Sequence, residues 1–561
     1  MTTTRSVLLW WGMLFAFTTA TAQVQQSYQL QTTQGWNLLG NSVDKSINIA
    51  TMFGDTNKVT SVWKWDNTGN RWMFYAPSLS TAELQSYISS NGFGLLTTIE
   101  GGEGYWVNAK TATDYGTQTG LGVISPKLGA GWNLVASGGT ADSSTVSVEM
   151  FSHISKKVVD VTSVWQWAGM KWNFYAPALM MDGTLSSYQT ANKYGPITGS
   201  VSGVGKGFWV KGDAAKVVTP IPVLRSSHEN KMAAGNALGP QKMPNDKSGN
   251  ARAFADFLQD GSYTVVVNTL EYNNSLPLDK AILGHIYFLK QVNGQWIDIT
   301  TLLLTNNTGC IHPRKAMVAD LNGDGKPDVI LACHGYDSPP YPGEQQRVLM
   351  SQADGTYENV ALPTTAYAHG GSVADVNGNG YSDIIYTDTS IRQSPFYLVN
   401  KKDGTFTEDK TRMPQSVIGK GIYSLEFIDV KQIGQYDLWV GGLVYFDKFP
   451  QASIAPTFYY NDKTNHYSDI SKLSMTTVMK NVTPLDIVVK KNAVYMLHIQ
   501  DQYVGVQIEK YELTSGIASV LYTHNGSYSA DNSSTWFDFI VLYKDSLVPM
   551  DANYQISIPI P

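Results

Sequence analysis

The stretch DLNGDGKPD, residues 320–328, decides the fold. Asp320, Asn322, Asp324 and Asp328 stand at positions 1, 3, 5 and 9, and Lys326 at position 7 offers its backbone carbonyl. Gly323 and Gly325 let the backbone turn tightly. Hard oxygen donors at alternate positions of a tight loop are what Ca²⁺ requires. A second copy, DVNGNGYSD at 375–383, offers Asp375, Asn377, Asn379, the Tyr381 carbonyl and Asp383. It has one carboxylate fewer and is expected to bind more weakly. A third copy, DVKQIGQYD at 429–437, keeps Asp429, Gly434 and Asp437 but loses both middle ligands, and no ion is expected there. One or two calcium ions are therefore predicted, each neutralising clustered carboxylates in an inter-strand turn.

The flanks choose between calcium folds. An EF-hand needs an acid at position 12, where this chain has Leu331, and its loop leads into a helix. Here AMVAD precedes and DVILA follows, and the second copy sits between SVAD and DIIYTD. These read as strands. The loops begin at 320, 375 and 429, spacings of 55 and 54. DGTYENV at 354–360 and DGTFTED at 403–409 mark the Asp-Gly turn of an outer hairpin in each unit. VNGQWIDIT at 292–300 and NDKTNHYSDIS at 461–471 suggest flanking units. Strand–loop–strand repeats of this kind resemble the FG-GAP or VCBS repeat of integrin-type β-propellers. The resemblance spans about 310 residues, is strongest over 309–410, and implies six or seven blades over 251–561. The last strands, near VLYKDSLVPM and YQISIPI, are expected to pair with the segment near 252–268 and close the ring.

Upstream lies an internal repeat. GWNLLG (35–40), VTSVWKWDNTGNRWMFYAP (59–77) and GEGYWV (102–107) return as GWNLVA (131–136), VTSVWQWAGMKWNFYAP (161–177) and GKGFWV (205–210). Trp36, Trp63, Trp65, Trp72 and Trp106 match Trp132, Trp165, Trp167, Trp172 and Trp209, so ten of the fifteen tryptophans lie here. Alternation in SVWKW and the turn at 66–70 give a hairpin. Two small β-sandwich or barrel-like modules are expected, at 23–123 and 124–216. They resemble the GWN…GxGYW modules of bacterial secreted proteins. The repeated indoles serve either as core filler or as platforms for sugar rings. Residues 217–250, with four prolines and no apolar period, read as a linker.

The first 22 residues read as a signal peptide: Arg5, an apolar run Val7 to Phe17, and Ala20-Thr21-Ala22 before the cut. The run is too short to span a bilayer, so the protein is expected to be secreted or at the cell surface, with the periplasm as the alternative, and not membrane-spanning. A balance of 40 basic to 46 acidic residues, net −6, gives no electrostatic reason for nucleic-acid binding. With only two thiols in an exported chain, Cys310 and Cys333 are expected to pair. His312, His334, Asp337 and His369 form the best ionisable cluster, aimed at the propeller channel as a ligand or second metal site, or bracing loops.

The whole reads as an all-β, exported, calcium-binding monomer. Its expected role is adhesion to, or recognition of, carbohydrate or a cell-surface protein. The alternatives are a carbohydrate-active propeller enzyme, such as a polysaccharide lyase, and a structural envelope component. No nucleophile or P-loop motif is present, and no catalytic residue is assigned.

Overall fold

The computed structural model describes residues 25–560 except 124–127, 139–144, 147–158, 170, 198–200, 215–218, 242–248, 274, 293, 446, 501–504, 525–538 and 551–555. The expected signal peptide, 1–22, lies outside the described residues. The chain forms two compact units, one through Lys216 and one from Val217. No helix among the described residues is long and apolar enough to cross a membrane.

The first unit holds the two repeats. In the first, a five-stranded sheet runs in the order Gly35–Gly40, Gly104–Ala109, Val59–Asp66, Arg71–Tyr75, Gly94–Leu95, with only the last pair parallel. In the second, Gly131–Val135, Phe208–Ala214, Val159–Trp167, Trp172–Tyr175 and Gly195–Pro196 repeat that order. Alternation puts Val62, Tyr105 and Val107 on one face, where the strands Gln25–Thr32 and Thr113–Leu121 cover them and form a core with Tyr28 and Leu30. Trp63, Trp65 and Trp106 therefore face the other way. The repeats touch edge to edge through reciprocal bridges, Leu39 with Lys206 and Val135 with Glu103. Gly40 permits this approach: a Cβ there would lie 2.2 Å from the Lys206 carbonyl oxygen.

Each repeat also contains helix that the β reading missed. Thr81–Asn91 follows the YAP strand end, and Pro177–Met181 with Leu185–Ala191 takes its place in the second copy. The missed signal was Ser80-x-x-Glu83, a capping box in which the Ser80 hydroxyl accepts the Glu83 N–H and Glu83 accepts the Ser80 N–H.

The second unit is a β-propeller. Six antiparallel meander sheets follow one another among the described residues, with innermost strands Gly249–Ala255, Pro313–Ala319, Gly371–Ala374, Ile422–Ile428, Val482–Lys490 and Phe539–Tyr543. Apolar clusters join each blade to the next, for example Val318 and Leu331 against Val266 and Phe288. The ring closes when Phe254, Val265 and Val267 of the first blade pack on Phe539, Val541 and Val548 of the last. This corrects the expectation of strand pairing between the termini. The last strand, Ile558–Pro559, bonds within its own blade, and closure is by side-chain packing.

Within the expected linker, 217–250, the described residues 219–241 are not an open connector. Ser227–Leu238 is a twelve-residue helix capped by the Ser226 hydroxyl. It crosses the mouth of the channel on the side of the calcium-type loops. Ser226 bridges Ala374 at one end, and at the other Gly239 sits against Tyr543. Its residues meet several blades: Asn230 donates to the Val318 carbonyl at 3.1 Å, Ser227 lies 3.2 Å from Ser372, and Met232 and Ala234 enter the apolar clusters. The helix has no clean apolar period because its surroundings are not purely apolar. Lys231 sits 2.7 Å from Asp486 and 3.6 Å from Glu426, and Lys315 pairs with the same two carboxylates. Two cations and two anions thus compensate one another in the channel, which buried charges must do.

Candidate functional site

The calcium-type loops lie between first and second strands of consecutive blades, as strand–loop–strand requires. Gly323 and Gly325 both have φ of 77°, and Gly378 and Gly380 have 70° and 84°. In the first loop Asp320 accepts the N–H groups of Gly323 (2.7 Å) and Gly325 (2.8 Å), Asn322 accepts that of Asp324, and Asp324 that of Lys326. Asp375, Asn377 and Asn379 make the matching turns, ending at the Tyr381 N–H.

Position 9 behaves differently. Asp328 is buried, its carboxylate accepting the N–H of Leu321 (2.7 Å) and of Ser351 (2.6 Å) on the third strand. Asp383 accepts the Asn400 N–H at 2.8 Å in the same way. Asp437, in the eroded loop, accepts that of Asn461 at 2.9 Å. Burial pushes the Asp328 carboxyl up to about 7, and burial followed by the nearby Asp324 charge raises Asp320. Asp320, Asn322, Asp324 and the Lys326 carbonyl are hard oxygen donors that would suit a calcium ion, and such an ion would offset the charge that burial penalises. Two side chains already place positive charge nearby: Lys326 Nζ lies 3.2 Å from Asp324, and Arg225 Nε 3.7 Å from Asp375.

At the opposite ends of the innermost strands lies the histidine cluster. His312 precedes the strand Pro313–Ala319, His334 follows Asp328–Cys333, and His369 precedes Gly371–Ala374. The structure brings them together: His334 Nε2 is 3.2 Å from His369 Nε2, and His312 Nδ1 is 3.8 Å from Asp337. Arg314 reaches Asp337 at 3.5 Å, Tyr367 donates a hydrogen bond to it, and Tyr423 packs on His369. Burial first, then the Arg314 charge, holds all three imidazoles well below the usual histidine range, so they are neutral. Cys310 and Cys333 form a disulfide beneath the cluster, with Cα atoms 5.4 Å apart.

Sequence reasoning missed the group that shapes this cluster. Glu344 accepts the N–H groups of Ile311 (2.9 Å), His312 (3.2 Å) and Gly335 (2.9 Å), fixing both histidine-bearing loops, and burial raises it to about 7. No spacing in the sequence marks it, because its three partners are backbone groups. Arg314 and Tyr367 were missed for a related reason: only the ring of blades brings them to Asp337.

The ten repeated tryptophans of the first unit are only partly covered, and some do pack on the core: the Trp63 ring lies 4.4 Å from that of Phe74, and the Trp165 ring 4.5 Å from that of Phe174. None is buried, and Trp36 and Trp132 are 50% and 41% exposed. They form one reciprocal array. Trp36 packs edge-on to Trp106 at 6.1 Å, as Trp132 does to Trp209 at 5.9 Å. Trp106 reaches Trp167 and Trp172 of the other repeat, and Trp209 reaches Trp65 and Trp72. Two hollows result. One of about 360 Å³ is lined by Trp65, Trp72, Trp132, Trp165, Trp172 and Trp209. The other, about 560 Å³, is lined by Trp36, Trp63, Trp72, Trp106, Trp167, Trp172 and Trp209. Exchanging the repeats converts the first lining set into six of the seven residues of the second.

A family model described as an FG-GAP-like repeat matches residues 320–386. Those residues include both calcium-type loops and the segment carrying His334, Asp337 and His369. No curated protein matches the chain. Among solved structures, the chain is similar to a protein from Lactobacillus plantarum, with 10% identity over 53% of this chain and 81% of that one, at a TM-score of 0.30. It is also similar to a GH74 xyloglucanase from Xanthomonas campestris, with 11% identity, 55% and 43% coverage and a TM-score of 0.31. A rhamnogalacturonan lyase gives 12% identity, 64% and 65% coverage and a TM-score of 0.25. The chain spans less than half of the xyloglucanase and just under two thirds of the lyase.

Proposed function

We propose that this is an exported, calcium-stabilised recognition protein that binds carbohydrate chains through its paired tryptophan hollows. The observation that carries this reading is the retention, in both repeats, of five incompletely covered indoles, one of them exposed, that line two hollows related by exchange of the repeats. Core tryptophans would be covered; these leave ring surface open, where the C–H faces of a pyranose stack. Two such hollows in one unit suit a polymer, because the second contact is intramolecular once the first is made. The calcium ion in the 320–328 loop is structural: it ties two strands of one blade and takes no part in the aromatic site.

Affinity electrophoresis against a panel of plant and bacterial polysaccharides tests this. Retardation by at least one polymer, lost in Trp106→Ala and Trp209→Ala, is expected. Failure to bind any glycan, with the fold intact, would leave the structural envelope role.

One observation favours a second reading, a polysaccharide lyase. Neutral His334 and His369 converge with Tyr367 and Arg314 at one mouth of the channel. A lyase needs such a base and a group that neutralises an acidic sugar. Release of unsaturated uronate from acidic polysaccharides, followed by ultraviolet absorbance, distinguishes it from binding alone.

A further inference from the structure

We propose that His312, His334 and Asp337 form a site for a divalent transition-metal ion of the zinc class, at the channel mouth opposite the calcium-type loops. Each residue offers one donor atom, and these atoms lie within 4.8 Å of one another. A metal ion at ordinary zinc distances of about 2.0–2.2 Å from each donor would hold them at separations of about 3–4 Å, so only a small inward movement is needed.

The second observation is independent of that proximity. His312 Nδ1 and His334 Nδ1 are buried and have no hydrogen-bond partner, although their residues are only 7% and 0% exposed. Two unpartnered buried nitrogens on imidazoles whose ring centroids lie 5.0 Å apart are unusual, because buried polar groups are normally paired. The remaining geometry is that of an oriented ligand. The other nitrogen of His334 meets His369 Nε2 at 3.2 Å, and His369 Nδ1 meets the Thr389 hydroxyl at 3.2 Å. Metal-bound imidazoles are fixed through their second nitrogen in this manner.

The donor set selects the ion. Two imidazoles and one carboxylate suit zinc and its neighbours, and leave a coordination position open. Calcium prefers oxygen alone. The site therefore differs in chemistry, as well as in place, from the loops at 320–328 and 375–383. Its entry is by Asp337, whose side chain is 35% exposed while both histidines are covered. Two groups already engage the Asp337 carboxylate: the Arg314 guanidinium at 3.5 Å, whose charge opposes the ion, and the Tyr367 hydroxyl, which donates a hydrogen bond to it. Arg314 competes for that carboxylate, and its removal should strengthen binding.

The test is calorimetric titration of the untagged, chelator-stripped full chain with zinc chloride in millimolar calcium, followed by cobalt substitution. One ion per chain is expected, with visible d–d absorption from nitrogen ligation. Asp337→Asn and His312→Gln should each weaken zinc by about 100-fold and His369→Gln by about 10-fold, while Arg314→Met should tighten it. His466→Ala, remote from the site, should change nothing. Asp337→Asn and Arg314→Met alter the partly exposed rim, so they remain informative if a buried histidine variant misfolds. The proposal is overturned by absence of zinc uptake, by uptake unchanged in Asp337→Asn, or by uptake lost in His466→Ala.

Discussion

The Asp328 carboxylate accepts the Ser351 backbone N–H at 2.6 Å, tying the start of one strand to the end of the next strand outward. The same bond joins Asp383 to Asn400 and Asp437 to Asn461. The last acid of each loop is therefore a brace between strands, whatever the loop holds. It survives in the third copy, where the middle ligands are gone. There, Gln432 adopts a φ of 54° in place of the lost glycine, so the loop keeps its path.

Asp437→Asn should thus destabilise the propeller as much as Asp328→Asn does in the absence of calcium, by about 1–3 kcal/mol, since each leaves a buried N–H without its charged acceptor. Urea unfolding in the presence of chelator measures both. A negligible cost at Asp437 would remove the brace as the common role.

Calcium should separate the loops. Asp324→Ala is expected to abolish most of the calcium-dependent rise in Tm, while Asn379→Ala leaves it nearly intact, because the second loop has one carboxylate fewer. Differential scanning calorimetry with and without calcium decides this.

Reciprocity in the tryptophan array predicts equivalence. Trp36→Ala and Trp132→Ala should weaken glycan binding by similar factors, because each lines one hollow only and the two exchange places between the repeats. A large loss from one and none from the other would mean a single hollow is used. The measurement is affinity electrophoresis of the two variants side by side.

The channel helix can be tested at Gly235. An added Cβ there would lie 2.4 Å from the Val541 Cβ, inside contact distance. Gly235→Ala gains about 1 kcal/mol of helix propensity but should still destabilise, because overpacking costs about 1–3 kcal/mol. A higher Tm for this variant would show that the helix does not press on the last blade.

Acid should destabilise the protein through its buried histidines. The pKa values of His312, His334 and His369 are lower folded than unfolded, so their contribution is complete above about pH 6.5 and is lost as pH falls below it, each at about 1.4 kcal/mol per pH unit. Asp328 and Glu344, raised to about 7, act in the opposite sense: they favour the folded state as pH falls from 7 toward their unfolded values. Urea unfolding across pH checks this, and His312→Gln should flatten the slope by one proton.

The sequence by itself determined the repeating units. The 55- and 54-residue spacing, the paired glycines and the Asp-Gly turns are local instructions, and each falls where the structure places a loop or an outer hairpin. Alternation in SVWKW likewise put Trp63 and Trp65 on one face. Only the tertiary structure decided which face is covered: the aliphatic side found a partner layer, and the indoles found one another across the two repeats. It also decided the channel. Ser227–Leu238 lacks an apolar stripe because it is enclosed by a ring whose inner wall supplies Asp486 and Glu426 for Lys231, and no local pattern encodes charges that lie 195 to 255 residues further along the chain. The meeting of His312, His334, Asp337 and His369 has the same origin. Their proximity in sequence allowed the grouping, but the burial that neutralises the imidazoles comes from the closure of neighbouring blades around them.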